Sequence, residues 1–351
     1  MGTLTSRQTQ RAELFRERAV RDVPLAVLIA GATAAAVWGS GWTAAWAPLP
    51  WVAALAVVGL PHGAADFTVS RTAWRGAPLA VVWLCYLAAM AAVLSCFVAA
   101  PAVTLGLFAI ASCWHFGVAH LDTDRPDRHR GPRTSGALAR GCGVLAVPLV
   151  AWPDATAAAA AELASFAVGS DAVEGLFPTH AVMAAGVCLA VIGGVALLTE
   201  MLSEWSHVDG PRCLRRIIGE VAAIVALGWF ADPLFSVGLY FLAWHAWRQM
   251  EPLAEALSAP RFCSWSDLGR GLTRVHIASL PLLLPSLVAI GAVWWAWAPD
   301  HTLRSLALTS IGGYLIVTPA HELLAEGLRV PAVRAVLVRL ARHPAIRHAG
   351  A

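Results

Sequence analysis

Long apolar runs constrain this chain more than any other feature. Between residues 24 and 324, stretches of about 17–25 apolar residues recur, each long enough to cross a hydrocarbon layer of about 30 Å as a helix. Because such a layer offers the backbone no hydrogen-bond partners, a spanning segment must satisfy its own amide groups, as a helix does. Hydrophobic residues make up 58% of the chain and charged residues only 13%, unlike an ordinary soluble domain. The sequence therefore predicts an all-α protein, a polytopic transmembrane helical bundle.

The pattern predicts about ten spans, within a range of nine to eleven. We place them at 24–39, 44–61, 79–99, 102–119, 136–152, 179–201, 217–231, 233–250, 275–297 and 305–324. The two spans that meet at Ala231-Asp232-Pro233 could instead be one broken helix, since proline interrupts helices.

Arginine placement orients the bundle. All 25 basic residues are arginines, and they concentrate in the connections on one side, whereas the longest connection on the other side, 153–178, holds none. The positive-inside rule then predicts cytoplasmic N- and C-termini and a multi-pass protein of the cell membrane. We divide the chain into a basic N-terminal segment (1–23), a transmembrane catalytic domain (24–325) and an Arg-rich tail (326–351). The absence of lysine excludes a retinal Schiff base and any lysine nucleophile.

Four histidines lie near the ends of different apolar runs: His62 in GLPHGAADF, His115 in SCWHFGVAH, His245 in YFLAWHAWRQMEP and His321 in TPAHELLAEG. The predicted topology brings all four ends to the cytoplasmic side. Because imidazole is the most common neutral nitrogen ligand of first-row metals, four at one depth predict a metal site, which suits iron and, less specifically, zinc or copper. A proton pathway, a bis-histidine haem and hydrogen bonds between helices are the competing interpretations.

Several polar residues near these histidines could receive the second imidazole N–H of a ligand and fix its tautomer. Asp66 follows His62 by four residues, so a continuous helix would put both on one face. Glu322 and His120 also follow candidate ligands closely, and His276 opens a neighbouring span on the same side. We expect Asp66, His120 and Glu322 to support the site and His276 to lie in its outer shell or in a substrate channel.

Three segments, GLPHGAAD, SCWHFG and YFLAWHAWR, resemble the signature segments of the Brp/Blh family of bacterial membrane β-carotene 15,15′-dioxygenases. The resemblance runs from about residue 55 to residue 325 and follows the same order. It implies a non-haem Fe²⁺ enzyme that uses O₂ to split β-carotene at its central 15,15′ double bond into two molecules of all-trans-retinal. The implied partners are β-carotene or a related carotenoid, O₂ and membrane lipid, with no nucleic acid.

The resemblance also implies a ligand set. The family's iron is held by histidines of a PHGA motif, an HFG motif and a His-x-x-x-His motif, which correspond to His62, His115 and His245 as catalytic ligands. Where the third motif has its second histidine, this chain has Gln249. Gln249 could offer its carbonyl oxygen to the metal, although more weakly than imidazole, or His321 could complete the site.

A carotenoid requires a long apolar tunnel lined by aromatic and small residues. The aromatic candidates around the ligands are Trp114, Phe116, Tyr240, Phe241, Trp244 and Trp247. Two other functions stay open at this point. The change at Gln249 is compatible with a metal-dependent membrane oxidoreductase that acts on another carotenoid or lipid, and a cluster of histidines and carboxylates could relay protons in a proton-coupled transporter.

Overall fold

The computed structural model describes residues 6–73, 77–124, 133–205, 210–259, 261–298 and 300–329. Within these ranges every regular element is helical, which confirms the predicted all-α class. The predicted Arg-rich tail lies outside the described residues from 330 onward, and residues 326–329 form the end of the last helix.

Sixteen α-helices and three short π or 3₁₀ segments make up the described chain. In order they are α1 (Ser6–Glu17), a π-helical turn (Arg18–Asp22), α2 (Val23–Trp38), α3 (Ser40–Trp46), α4 (Pro48–Ala56), α5 (Gly59–Ala64), α6 (Asp66–Ala73), α7 (Ala77–Ala99), α8 (Pro101–Asp124), α9 (Arg133–Ala151), α10 (Pro153–Val168), a 3₁₀ turn (Ser170–Ala172), α11 (Thr179–Trp205), α12 (Gly210–Phe230), α13 (Pro233–Leu239), a π-helical segment (Tyr240–Ala246), α14 (Trp247–Ala256), α15 (Trp265–Trp297) and α16 (Leu303–Arg329).

Seven helical stretches of the described chain are long and apolar enough to cross a membrane. They are Gln10–Trp38, Ser40–Arg71, Leu79–Ala99, Pro101–Leu121, Thr134–Ala151, Thr179–Trp205 and Trp265–Trp297. Each contains or overlaps one predicted span. Their exposed surfaces are apolar, as on α11 with Val195, Leu198 and Leu202 and on α15 with Val288, which suits contact with lipid.

The other three predicted spans are also helical and occupy 217–231, 233–250 and 305–324. They lie in helices outside the set of seven. Each carries a polar side chain that is buried or partly buried: Glu220, His245 and His321. The break at Asp232 separates two helices: its carboxylate accepts hydrogen bonds from the backbone N–H of Leu234 (2.9 Å) and of Phe235, capping α13. The count of ten spans and the cytoplasmic termini stay predictions.

Helices α8 and α9 pack closely because small residues allow their backbones to approach each other. A Cβ on Gly141 of α9 would lie 1.6 Å from the carbonyl oxygen of Cys113 on α8, and one on Gly117 of α8 would lie 1.9 Å from that of Ala137 on α9. Only glycine fits at either position. Such contacts are typical of membrane helices, whose association depends on close packing.

The N-terminal segment is bound to helix α14 by an ion pair. Arg16, at the end of α1, donates from Nε to both carboxylate oxygens of Glu251 on α14, at 2.9 and 2.7 Å. Glu251 is 1% exposed and also accepts from the backbone N–H of Phe262. Since a buried carboxylate must be paired, Arg16 and Glu251 tie the start of the chain to the helix that carries His245.

Candidate metal centre

The structure brings the four histidines of the sequence pattern into one closed ring. The distances between imidazole centroids around it are 5.0 Å from His62 to His321, 5.5 Å from His321 to His115, 4.7 Å from His115 to His245 and 5.7 Å from His245 back to His62. Ring nitrogens of His62, His115 and His321 all lie within 4.8 Å of one another. Four helical segments that are distant in sequence each contribute one of these side chains.

His115 and His245 are closest, with their Nε2 atoms 3.1 Å apart. Two nitrogens bound to one ion at about 2.1 Å are roughly 3.0–3.4 Å apart in octahedral or tetrahedral geometry, so this pair already has the spacing of two ligands. Both residues are buried, at 8% and 3% exposure. Two imidazole nitrogens that face each other at this distance require either a shared proton or a shared cation between them.

His62 gives the clearest sign of a missing partner. Both of its ring nitrogens are buried, and within the described part of the chain neither has a hydrogen-bond partner. A buried polar atom without a partner costs about 1–3 kcal/mol, so such atoms call for an explanation. A metal ion in the ring of histidines supplies one for one of the two nitrogens, which it would bind.

Local backbone geometry directs His62 toward the ring. Helix α4 ends at Ala56, Val58 leaves the helical conformation (φ −144°, ψ −30°), and the short α5 begins at Gly59. A Cβ on Gly59 would lie 2.7 Å from Cε1 of Phe241, so glycine allows α5 to approach the helix that bears His245. The N–H of His62 donates to the carbonyl of Val58, which holds the turn.

Two carboxylates bind the outward nitrogens of two of these histidines, but not in the arrangement that the sequence suggests. Glu322 Oε2 lies 2.5 Å from Nδ1 of His115, and Asp66 Oδ2 lies 2.7 Å from Nδ1 of His321. In each case an ionised carboxylate accepts the Nδ1 proton, so the Nε2 of that ring carries the lone pair that a metal needs. Asp66, four residues after His62, supports His321 rather than the histidine nearest to it in the sequence, and the single residue Ala65 separates α5 from α6.

The charges of this arrangement fit a divalent cation. Asp66 and Glu322 are 12% and 19% exposed at their side chains, and the hydroxyl of Tyr86 also approaches Asp66 Oδ2, at 3.3 Å. Two ionised carboxylates around neutral imidazoles would place two negative charges in a poorly solvated region, which is costly unless it is neutralised. A dication among the four histidines would neutralise both charges.

His120 and His276 do not join the ring. His120 accepts at Nδ1 from the indole N–H of Trp244 (3.1 Å), and its Nε2 lies 3.0 Å from Glu220 Oε2. The ring of His276 bonds through Nδ1 to the carbonyl of Leu272, one turn earlier on its own helix. The contacts of His120 therefore reach the helix of His245 through the neighbouring Trp244.

Gln249 lies one turn beyond His245 and faces α8. Its Nε2 donates to the carbonyl oxygen of Ala119 (2.9 Å) and to Oγ1 of Thr123 (3.1 Å). Because a backbone carbonyl can only accept, the nitrogen of the amide must occupy this side. The amide thus links the two helices that carry His115 and His245, and whether its oxygen binds a metal stays a prediction.

Most of the predicted tunnel aromatics pack together in the core on one side of the ring. Phe116 lies 4.8 Å and Phe241 5.8 Å from the His245 ring, measured between centroids, and both are buried with Tyr240 and Trp244. Trp114 is half-buried. Trp247 instead donates its indole N–H to the carbonyl of Ala19 and packs in a separate cluster around Met250.

A small cavity opens beside the ring. Its volume is about 90 Å³, and its walls are His62, His115, Val118, Ala119, Gln249, His321, Glu322 and Ala325. This space suits a molecule the size of O₂ or water rather than a long polyene.

Sequence reasoning missed two polar residues that complete the surroundings. Tyr86 contacts Asp66, and Glu220 contacts His120; both contacts are buried. Glu220 had a usable signal, since an acidic residue inside an apolar run is rare without a buried partner. Tyr86 had none, because tyrosine is common in membrane helices.

Comparisons with known proteins identify the family to which the chain belongs. A family model described as beta-carotene 15,15'-dioxygenase matches residues 53–329, a range that contains all four histidines. A protein of Halobacterium salinarum, named probable beta-carotene 15,15'-dioxygenase Blh, is 26% identical over 293 residues, which cover 80% of this chain and 83% of the relative. No solved structure matches the chain.

Proposed function

Because the chain belongs to the beta-carotene 15,15'-dioxygenase family, we propose that it is a membrane oxygenase that cleaves β-carotene at the central 15,15′ double bond. The products would be two molecules of all-trans-retinal, with O₂ as the oxidant. The protein would act in the cell membrane, where the carotenoid is dissolved and where seven helical stretches of the described residues are long and apolar enough to span the bilayer.

The observation that carries this proposal is the ring of four histidines. Among the described residues, neither nitrogen of His62 has a hydrogen-bond partner, and carboxylates orient the imidazoles of His115 and His321. We propose that His62, His115, His245 and His321 bind Fe²⁺. Fe²⁺ held by neutral nitrogen ligands with an open position supplies the capacity to activate O₂. Glu322 and Asp66 keep two imidazoles in the tautomer that binds metal and balance the charge of the cation.

The remaining residues would position the substrate and exclude water. Phe116 and Phe241 form an apolar wall against His245, and the 90 Å³ cavity lies beside the ring, toward Gln249 and Glu322. A forty-carbon polyene cannot occupy that cavity, so it must bind by displacing the packed aromatic side chains or the lipid-facing helices next to them. One double bond of the polyene would then be held beside the ring while the cavity admits O₂.

Expression in a bacterial host that accumulates β-carotene tests this function. We expect the orange colour to fade and retinal to appear, in a ratio of two retinals to each β-carotene consumed. His62→Ala, His115→Ala and His245→Ala should each abolish retinal formation, whereas His301→Ala, at an exposed loop position, should not. Full activity of any one of the three ligand variants would contradict the assignment.

A second substrate is favoured by one observation, the glutamine at position 249 in place of a histidine. An altered environment beside the ring would suit another carotenoid or a lipid. Analysis of the same cells for cleavage products of other polyenes separates the two cases, since retinal with unchanged levels of other carotenoids supports β-carotene. Membership of the family favours either oxygenase over a proton-coupled transporter.

A further inference from the structure

A chain of hydrogen bonds with a buried centre connects Arg216 to Trp244, the residue that precedes His245. Arg216 on α12 donates from Nε to Glu220 Oε1 at 3.0 Å, and Arg21 approaches the same oxygen at 3.3 Å. The other oxygen of Glu220 lies 3.0 Å from Nε2 of His120, whose Nδ1 is 3.1 Å from the indole nitrogen of Trp244. His120, Glu220 and Trp244 are at most 3% exposed.

The chemistry of these groups fixes the direction of each bond. An indole N–H can only donate, so Nδ1 of His120 must accept and cannot carry a proton. The single proton of the neutral imidazole is then on Nε2, where it is donated to the carboxylate of Glu220. His120 is thus held in one tautomer and at one ring orientation by partners on both sides, and it has no nitrogen to spare for a metal.

Trp244 lies in the π-helical segment Tyr240–Ala246, which also contains His245. A π-helical turn closes on the fifth residue instead of the fourth, so the residues that follow it are rotated by about one position, about 100°, relative to a continuous α-helix. Such segments are rare and depend on surrounding contacts to persist. The orientation of His245 toward His115 therefore depends on whatever holds this segment in its widened form.

We propose that His120 and Glu220 are positioning residues that hold Trp244 and thereby the π-helical segment, so that His245 faces the other three histidines. The proposal rests on the proposed role of His245 as a metal ligand. It explains why His120, five residues after His115, is buried in contact with the helix of His245 although it does not ligate. The same helix is also anchored through Trp247, whose indole N–H donates to the carbonyl of Ala19, and this second indole contact offers a matched comparison.

Paired substitutions test the proposal. Trp244→Phe and Trp247→Phe each remove one indole N–H from the same helix. The indole of Trp244 donates to His120 at 3.1 Å, and that of Trp247 donates to Ala19 at 2.9 Å. We expect Trp244→Phe to weaken metal binding by about 10–100-fold, as loss of a residue that orients a ligand does, and Trp247→Phe to leave it within about threefold. Binding is measured on purified metal-free protein by competition with a chromogenic chelator for Co²⁺ under anaerobic conditions.

A second pair leaves Trp244 intact. The amide of His120→Gln can accept from the indole and donate to Glu220, whereas His120→Leu can do neither. We expect His120→Gln to retain most of the Co²⁺ affinity and the absorption spectrum of the wild type, and His120→Leu to lose affinity as Trp244→Phe does. A purely structural role would lower the melting temperature of both variants equally without rescue by glutamine in the metal affinity.

Hydrogen exchange of residues 240–246 provides a readout that does not need a metal. Faster exchange in Trp244→Phe and His120→Leu, but not in Trp247→Phe, supports the positioning role even in a preparation that cleaves no carotenoid. Unchanged exchange and unchanged Co²⁺ affinity in both of the first two variants would overturn it. If the wild-type protein binds metal but cleaves no carotenoid, that result would count against the proposed function and not against the positioning role.

Discussion

Replacement of Asp66 by Asn isolates the contribution of one carboxylate to the metal centre. Asp66 is 9% exposed and accepts the Nδ1 proton of His321 at 2.7 Å. A hydrogen bond to a charged acceptor contributes about 1.5–3 kcal/mol and a neutral one about 0.5–1.5 kcal/mol, so the amide loses about 1–1.5 kcal/mol. This loss corresponds to roughly a tenfold weaker affinity of the site for a dication, at the lower end of the range for residues that orient a ligand.

Chelator competition with Fe²⁺ under anaerobic conditions measures the affinity of wild type and variant in detergent. Glu251→Gln is the matched control: this carboxylate is 1% exposed, but it binds Arg16 and the backbone of Phe262 rather than a histidine of the ring. We expect the control to lower the melting temperature and to leave the metal affinity unchanged. If Asp66→Asn also kept its affinity within twofold, the argument that Asp66 orients His321 for metal binding would be refuted.

The packing and charge of the bundle give three further predictions. Gly141→Ala should lower the melting temperature in detergent, since its Cβ would collide with Cys113, at a cost of about 1–3 kcal/mol. Gly143→Ala, two residues along the same helix with open space around it, should leave stability unchanged or slightly raised; equal effects would contradict the packing. Arg140→Leu leaves Glu200 buried without the partner now 2.6 Å away and should destabilise by about 3–5 kcal/mol in thermal unfolding, while the double change with Glu200→Leu should recover most of that loss.

The sequence alone predicts that the four histidines lie at one level, because the length of a spanning helix fixes the depth of each of its residues in the membrane. Each histidine lies within about five residues of the end of its predicted span, so the counted ends of four spans bring His62, His115, His245 and His321 to one level. The structure places these four in one ring. The depth of a residue, however, does not show toward which neighbouring helix its side chain points. Counting residues therefore left open which carboxylate or other polar side chain binds which histidine.

The carboxylates show where sequence distance misleads. Glu322 is adjacent to His321 in the chain but binds His115, while Asp66, near His62, binds His321. Neighbours along a helix point about 100° apart, so the residue beside a ligand usually faces another helix. The π-helical segment around His245 could not be predicted from the sequence either. It depends on tertiary contacts, such as that of Trp244 with His120, and not on a local sequence signal.

The number of imidazole ligands on the bound iron tests the account most directly. X-ray absorption at the iron edge of the purified, Fe²⁺-loaded protein should show four imidazole nitrogens at about 2.1 Å. His321→Ala should reduce the number to three, and Gln249→Leu should leave it at four. A first shell with two or fewer imidazoles, or one unaffected by His321→Ala, would contradict the four-histidine centre.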